Sequence, residues 1–177
     1  MRIIAGAHKG RTLKTPTWAG LRPTSDKLRE TLFNILAPRV RGARVLDAYA
    51  GTGAIALEAL SRGAELAVCV EQHRRAQALI EENRARVGED ARCMIVGGDA
   101  RRVLQSPMAG GPFDIVFLDP PYDIEALAEV VSAGISQRAD GGVLVLEHSS
   151  RRPPPPIDGI APSRTVRAGD SALSFYL

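Results

Sequence analysis

From residue 44 onward, short runs of branched apolar residues alternate with longer stretches rich in Ala, Leu, Glu and Arg. The runs 44–48, 66–71, 92–96, 113–119 and 143–147 carry apolar residues without polar alternation, which predicts five strands buried on both faces. Between them, 53–62, 74–86, 101–105 and 124–135 predict helices. The first stops at Gly63 and the second near Gly88. Strands of this kind separated by helices imply an α/β fold, a mostly parallel sheet covered on each side, with right-handed crossovers placing the helices.

The two ends differ. Residues 165–167 and 172–177 predict two strands joined by the turn at Gly169-Asp170, with no room for a helix. They should pair antiparallel at the edge of the sheet. The connector into them, Pro153 to Pro156, is stiff. At the start, 2–5 and 11–14 flank Gly6 and Gly10 and predict a small β-hairpin. A helix follows over 26–36, with Leu28, Leu32, Ile35 and Leu36 on one face, Asp26 at its positive end, and Pro38 ending it.

At 177 residues, 45% hydrophobic and 24% charged, the chain matches one globular core with a short appendage and excludes a disordered or collagen-like protein. The expected division is a head, 1–24, and a main domain, 25–177. Cys69 and Cys93 lie within predicted strands as small buried hydrophobes, and no Cys/His cluster has zinc-ligand spacing. The apolar run at the start is too short for a signal peptide, and none reaches the length of a membrane span. These features predict a cytoplasmic protein, monomeric, with no membrane and no metal.

The net charge of +3 hides an asymmetry. Residues 1–41 hold nine basic and two acidic groups, net +7, whereas 42–177 hold 14 and 18, net −4. A basic head of this kind suits a polyanion.

The chemical signal is positional. Asp47, Glu71, Asp99 and Asp119 each lie at or just past the C-terminal end of a predicted strand, the edge where open α/β sheets bind ligands. Asp47-Ala48-Tyr49-Ala50-Gly51-Thr52-Gly53 is a glycine turn that lets the backbone approach a bound molecule near a helix N-terminus. Glu71 suits ribose hydroxyls and Asp99 an exocyclic adenine amine. Together they describe an adenosine-containing cofactor, either a dinucleotide or S-adenosylmethionine.

Asp119-Pro120-Pro121-Tyr122 follows the fourth strand. Two prolines lock the backbone and remove two N–H donors, so a carboxylate and a rigid carbonyl form an acceptor-only cradle for an –NH₂ group. Tyr122 adds a flat face for a base.

This tetrapeptide resembles the (Asp/Asn)-Pro-Pro-Tyr motif of S-adenosylmethionine-dependent amino-methyltransferases, and the 47–53 turn resembles their cofactor loop. Residues 22–34 (RPTSDKLRETLFN), 57–64 (LEALSRGA), the opening MRIIAG and Gly10-Arg11 resemble the RsmD family more narrowly. Its members are bacterial methyltransferases that modify a guanine N2 in small-subunit (16S) ribosomal RNA. The resemblance runs from residue 1 to about 150.

It implies a Rossmann-like class I methyltransferase fold with a seven-stranded sheet. It also implies that Asp47, Gly51 and Gly53 hold the methionine portion of S-adenosylmethionine, Glu71 the ribose, and Asp99 with the Ala100 backbone the adenine. Thr24 would close over the methionine end. Asp119, Pro120, Pro121 and Tyr122 would form the catalytic turn, and Arg2, Lys9, Arg11, Lys14 and Arg22 would grip phosphates of the 16S RNA or of the assembling small subunit. The alternatives are the same chemistry on adenine N6 in DNA or on a protein glutamine. A nicotinamide-dependent oxidoreductase gives the Pro-Pro turn no role.

Overall fold

Alternating apolar strands and amphipathic helices build one seven-stranded sheet in the computed structural model, which describes residues 1–18, 25–122, 124, 126–154, 156–157 and 160–177. The elements are α1 (Asp26–Val40), β1 (Arg44–Asp47), α2 (Ala54–Ser61), β2 (Leu66–Glu71), α3 (Arg74–Val87), β3 (Cys93–Gly97), α4 (Ala100–Val103), β4 (Phe113–Leu118), α5 (Leu127–Ser136), β5 (Arg138–Ser149), β6 (Arg164–Ala168) and β7 (Ser171–Tyr176).

The strand order is β3-β2-β1-β4-β5-β7-β6. β1 to β5 pair in parallel, and β7 pairs antiparallel with both β5 and β6, as expected for the tail. The chain runs outward from β1 to β3 and then returns to β4 on the other side of β1. That reversal opens a crevice at the carboxyl ends of β1 and β4.

Each face of the sheet has its own core. Val45, Cys69, Ile115, Phe117, Val145 and Leu173 pack beneath α1, α2 and α3. Leu46, Val68, Val116, Leu118, Leu144 and Tyr176 pack beneath α4 and α5.

In α1 the Ser25 side chain accepts a hydrogen bond from Leu28 N, and Leu28, Leu32, Phe33, Leu36 and Val40 are buried. Each such burial contributes about 1.5–3 kcal/mol. Pro38 lies inside α1 rather than ending it. It removes the amide that would bond to the Asn34 carbonyl, but the continued turn carries Val40 into the core at 1% exposure, and that burial outweighs one lost bond. β5 begins at Arg138, five residues before the apolar run that marks it. Gly141, at φ +73°, and a register shift between Phe113 and Ile115 carry a polar stretch into the ladder.

The head is sewn onto the body. Its two arms meet at a single bridge, Arg2 to Thr12, with Ile3 N donating to Arg11 O and Leu13 N to Met1 O. Ile3 and Leu13, both 1% exposed, join the α1–α3 core. The buried Glu58 carboxylate on α2 accepts from Ile4 N (2.8 Å), Ala5 N (3.0 Å) and Arg62 Nε (2.7 Å). A Cβ on Gly6 would stand 1.8 Å from the Ser61 carbonyl oxygen, so only glycine allows this approach.

Candidate functional site

The parallel register decides which acids meet. Asp47 pairs with Cys69 and Phe117, and Phe117 with Val145, so these residues form one row across β2, β1, β4 and β5. Side-chain alternation then puts Asp47 and Glu71 on the face of Val45 and Cys69, and Asp119 follows directly after β4. Asp47, Glu71 and Asp119 accordingly line one cleft of about 490 Å³ at the crevice between β1 and β4. Gly51, Ala100, Pro120, Pro121 and Tyr122 line it too. Its volume lies within the range of small-molecule sites.

Asp47 is 1% exposed. Burial, reinforced by the negative charge of Glu71, pushes its carboxyl up to about 7, against hydrogen bonds from the backbone of Ala56 and Tyr49. Its Oδ2 is buried with no hydrogen-bond partner. A buried acceptor in a cleft calls for a donor from a ligand, and a cationic amine satisfies it best.

Glu71 fastens the glycine turn. Its Oε2 accepts from Gly51 N at 2.9 Å and its Oε1 from His73 N at 2.8 Å. Each oxygen keeps a second lone pair for hydroxyl donors. Gly51 and Gly53 have φ of +55° and +75°, which side-chain-bearing residues rarely adopt, and Gly53 precedes α2 with no side-chain cap.

Asp99 has a structural job at the start of α4. Its carboxylate caps α4, accepting from Arg101 N at 2.9 Å and pairing with the Arg101 guanidinium at 3.3 Å. Burial raises its pKa, but the Arg101 hydrogen bonds and the charges of Arg101 and Arg102 outweigh that and hold it below the usual value. Gly98 and Ala100 on either side face the cleft, whereas Asp99 is not among its lining residues.

The Pro-Pro turn is braced from both sides. The Tyr122 hydroxyl is 2.7 Å from Ser171 Oγ, and the Tyr122 carbonyl accepts from Arg152 at 3.3 Å. Tyr122 is 39% exposed.

Tyr49 and Glu147 also line the cleft, with no role assigned from sequence. Tyr49 has a buried hydroxyl with no partner, and burial together with the charge of Asp99, opposed by Arg101, pushes its phenol up to about 12. Glu147, 5% exposed, ends the apolar run of β5 just as Asp47 and Glu71 end theirs, and that signal was available.

Thr24 and Arg22 lie outside the described residues, although the neighbouring Ser25 and Leu28 line the cleft. The head's other cations spread along α2 and α3. Lys14 pairs with Glu82, and Arg11 donates to the Val87 and Arg86 carbonyls at the end of α3. Arg2 and Lys9 are exposed. The 6–10 turn sits at Ser61, the far end of α2 from the cleft-lining Ala54, and eight helical residues put it about 12 Å away. Among the described residues, no group of three or more His, Cys, Asp or Glu could hold a metal, and no helix is long and apolar enough to cross a membrane.

The profile of the family described as conserved hypothetical protein 95 matches residues 1–177. The chain is 42% identical over 137 residues to the ribosomal RNA small subunit methyltransferase D of Escherichia coli (strain K12), covering 75% of this chain and 65% of that protein. It therefore spans just under two thirds of that relative's length. It is 31% identical over 180 residues to YlbH of Bacillus subtilis (strain 168), which bears the provisional name of an rRNA methyltransferase, covering 99% of this chain and 98% of YlbH. Among solved structures, the E. coli protein yhhF, provisionally named a methyltransferase, superposes with a TM-score of 0.87 at 36% identity, over 99% of this chain and 96% of that one.

Proposed function

The chain belongs to the RsmD family, the one described as conserved hypothetical protein 95, and on that premise we propose that it methylates the exocyclic N2 amine of a guanine in small-subunit ribosomal RNA with S-adenosylmethionine as cofactor. One observation carries the reading. The acceptor-only Asp119-Pro120-Pro121-Tyr122 turn opens into the same cleft as Asp47 and Glu71.

The cleft suits that cofactor. A buried acid with an orphaned oxygen fits its ammonium group, Glu71 its ribose hydroxyls, and the backbone at Gly98 and Ala100 its adenine. When bound, the cofactor supplies an electrophilic methyl group on a sulfonium sulfur.

The chain's own residues prepare the amine. The N2 lone pair of guanine is delocalised into the ring, so the amine is a weak nucleophile. Hydrogen bonds from it to the Asp119 carboxylate and the Pro120 carbonyl localise the lone pair and fix its direction. The base must leave its stack to enter, and Tyr122 is its platform. Residues 1–24 act as the RNA-gripping head. Arg2, Lys9, Arg11 and Lys14 meet phosphates along a surface that runs away from the cleft, and Arg22 contributes a further cation to the same task, which positions the RNA without reading its sequence.

The test is incubation with methyl-labelled S-adenosylmethionine and, in parallel, small ribosomal subunits, naked rRNA, DNA and protein. Label in small-subunit RNA is expected. Label only in DNA or protein would overturn the reading.

A further inference from the structure

Glu147 joins Asp47, Glu71 and Asp119 in the cleft and has no part in the proposed reaction. β4 and β5 pair Phe117 with Val145 and Leu118 with Leu146, on strands about 4.8 Å apart, so Asp119 and Glu147 are each the next residue beyond the last pair. Alternation gives Glu147 the same face as Val145 and Phe117, and it lines the cleft together with the whole 119–122 turn. On its other side β7 places Leu173, fully buried, so water has little access to screen the carboxylate.

We propose that Glu147 selects guanine, its carboxylate accepting the base's N1–H while Asp119 and Pro120 hold the N2 amine. This rests on the guanine-N2 reading above. Guanine presents N1–H directly beside its amine, two donors in a row. Adenine and cytosine instead carry a ring acceptor beside theirs. A carboxylate accepts only, so with those bases it faces a lone pair in a site with little water, and they are repelled. Asp119 and Pro120 alone would take any exocyclic amine, and Glu147 supplies the discrimination they lack.

The test replaces the labelled guanine, once located with the wild-type protein, by 2,6-diaminopurine. This base keeps the N2 amine but has an acceptor at N1. The wild-type protein should methylate it at least about 100-fold more slowly than guanine. Glu147→Gln, whose amide can accept from N1–H through its oxygen or donate to a ring nitrogen through its nitrogen, should bring the two rates within about fivefold of each other. S-adenosylhomocysteine binding should stay at the wild-type level and reports that the variant is folded. Equal rates on the two bases with the wild-type protein would overturn the proposal, and this arm needs no variant. So would a folded Glu147→Gln protein that keeps the wild-type ratio. If the wild-type protein labels no guanine at all, the parent reading falls, an outcome distinct from either.

Discussion

The Tyr122 hydroxyl stands 2.7 Å from Ser171 Oγ, a bond that ties the Pro-Pro turn to the β6–β7 hairpin 49 residues away. A half-exposed ring is thus held at one end by a strand pair at the edge of the sheet. Tyr122→Phe and Ser171→Ala remove the same bond. Each should lower kcat for methyl transfer about 3–10-fold, and the double variant should fall no further than either single one. Stability should change by less than about 0.5 kcal/mol, since both sites lie at the surface. Additive losses in kcat would separate the two residues.

Asp47 makes a pH-dependent prediction. Its native carboxyl titrates at about 7, against 3.8 for the ordinary group, because burial disfavours the charge. The folded state therefore keeps a proton that the unfolded chain has lost, and this contribution to stability is full below about pH 4 and gone once pH passes about 7. Asp47→Asn removes the buried charge, so its stability relative to wild type should rise from about pH 4 to pH 7 and then level off. Thermal melts at pH 5 and pH 8 measure this, each gain of about 1 kcal/mol appearing as about 2–4 °C. The same variant should lose cofactor affinity, a trade of function for stability. Wild-type affinity should itself weaken below pH 7, about tenfold per unit, as the carboxyl takes up a proton. A flat affinity profile from pH 5 to 8 would contradict this.

Glu58 holds the head in place through three donors, two of them backbone amides. Glu58→Ala strands all three and should cost about 3 kcal/mol in urea denaturation. Gly6→Ala should also destabilise, because the added carbon collides with the Ser61 carbonyl. Near-wild-type midpoints for both would mean that the head is not part of the folded core.

Much of this was legible in the chain. β2 runs over the residues its apolar stretch predicts, Leu66–Glu71, because a strand buried on both faces leaves no ambiguity of pattern. The carboxyl-end acids Asp47, Glu71 and Asp119 meet because parallel pairing stacks strand ends in register. Asp99 has a local role that the strand-end pattern does not show. Asp before a short helix satisfies its orphan N–H groups, and Arg101 then holds the carboxylate there. Glu147 ends its strand's apolar run as Asp47 and Glu71 end theirs, but its place in one cleft with Asp119 follows only from the parallel pairing of β4 with β5. Pro38 misled because proline's local penalty is visible in sequence, whereas the burial of Val40 that offsets it is a tertiary fact.

Asp119→Ala separates binding from chemistry. Methyl transfer should fall about 10³-fold while RNA retention and S-adenosylhomocysteine affinity stay within about threefold of wild type. Loss of RNA binding in step with activity would make the 119–122 turn an RNA-docking loop rather than the acceptor of the amine.

The central claim is that this cleft methylates a guanine amine, and the identity of the product nucleoside tests it most directly. Small-subunit RNA methylated by the pure protein is digested to nucleosides and resolved by chromatography with mass detection. The account predicts a single new species, N2-methylguanosine. N6-methyladenosine, or a guanosine methylated on a ring nitrogen, would contradict it.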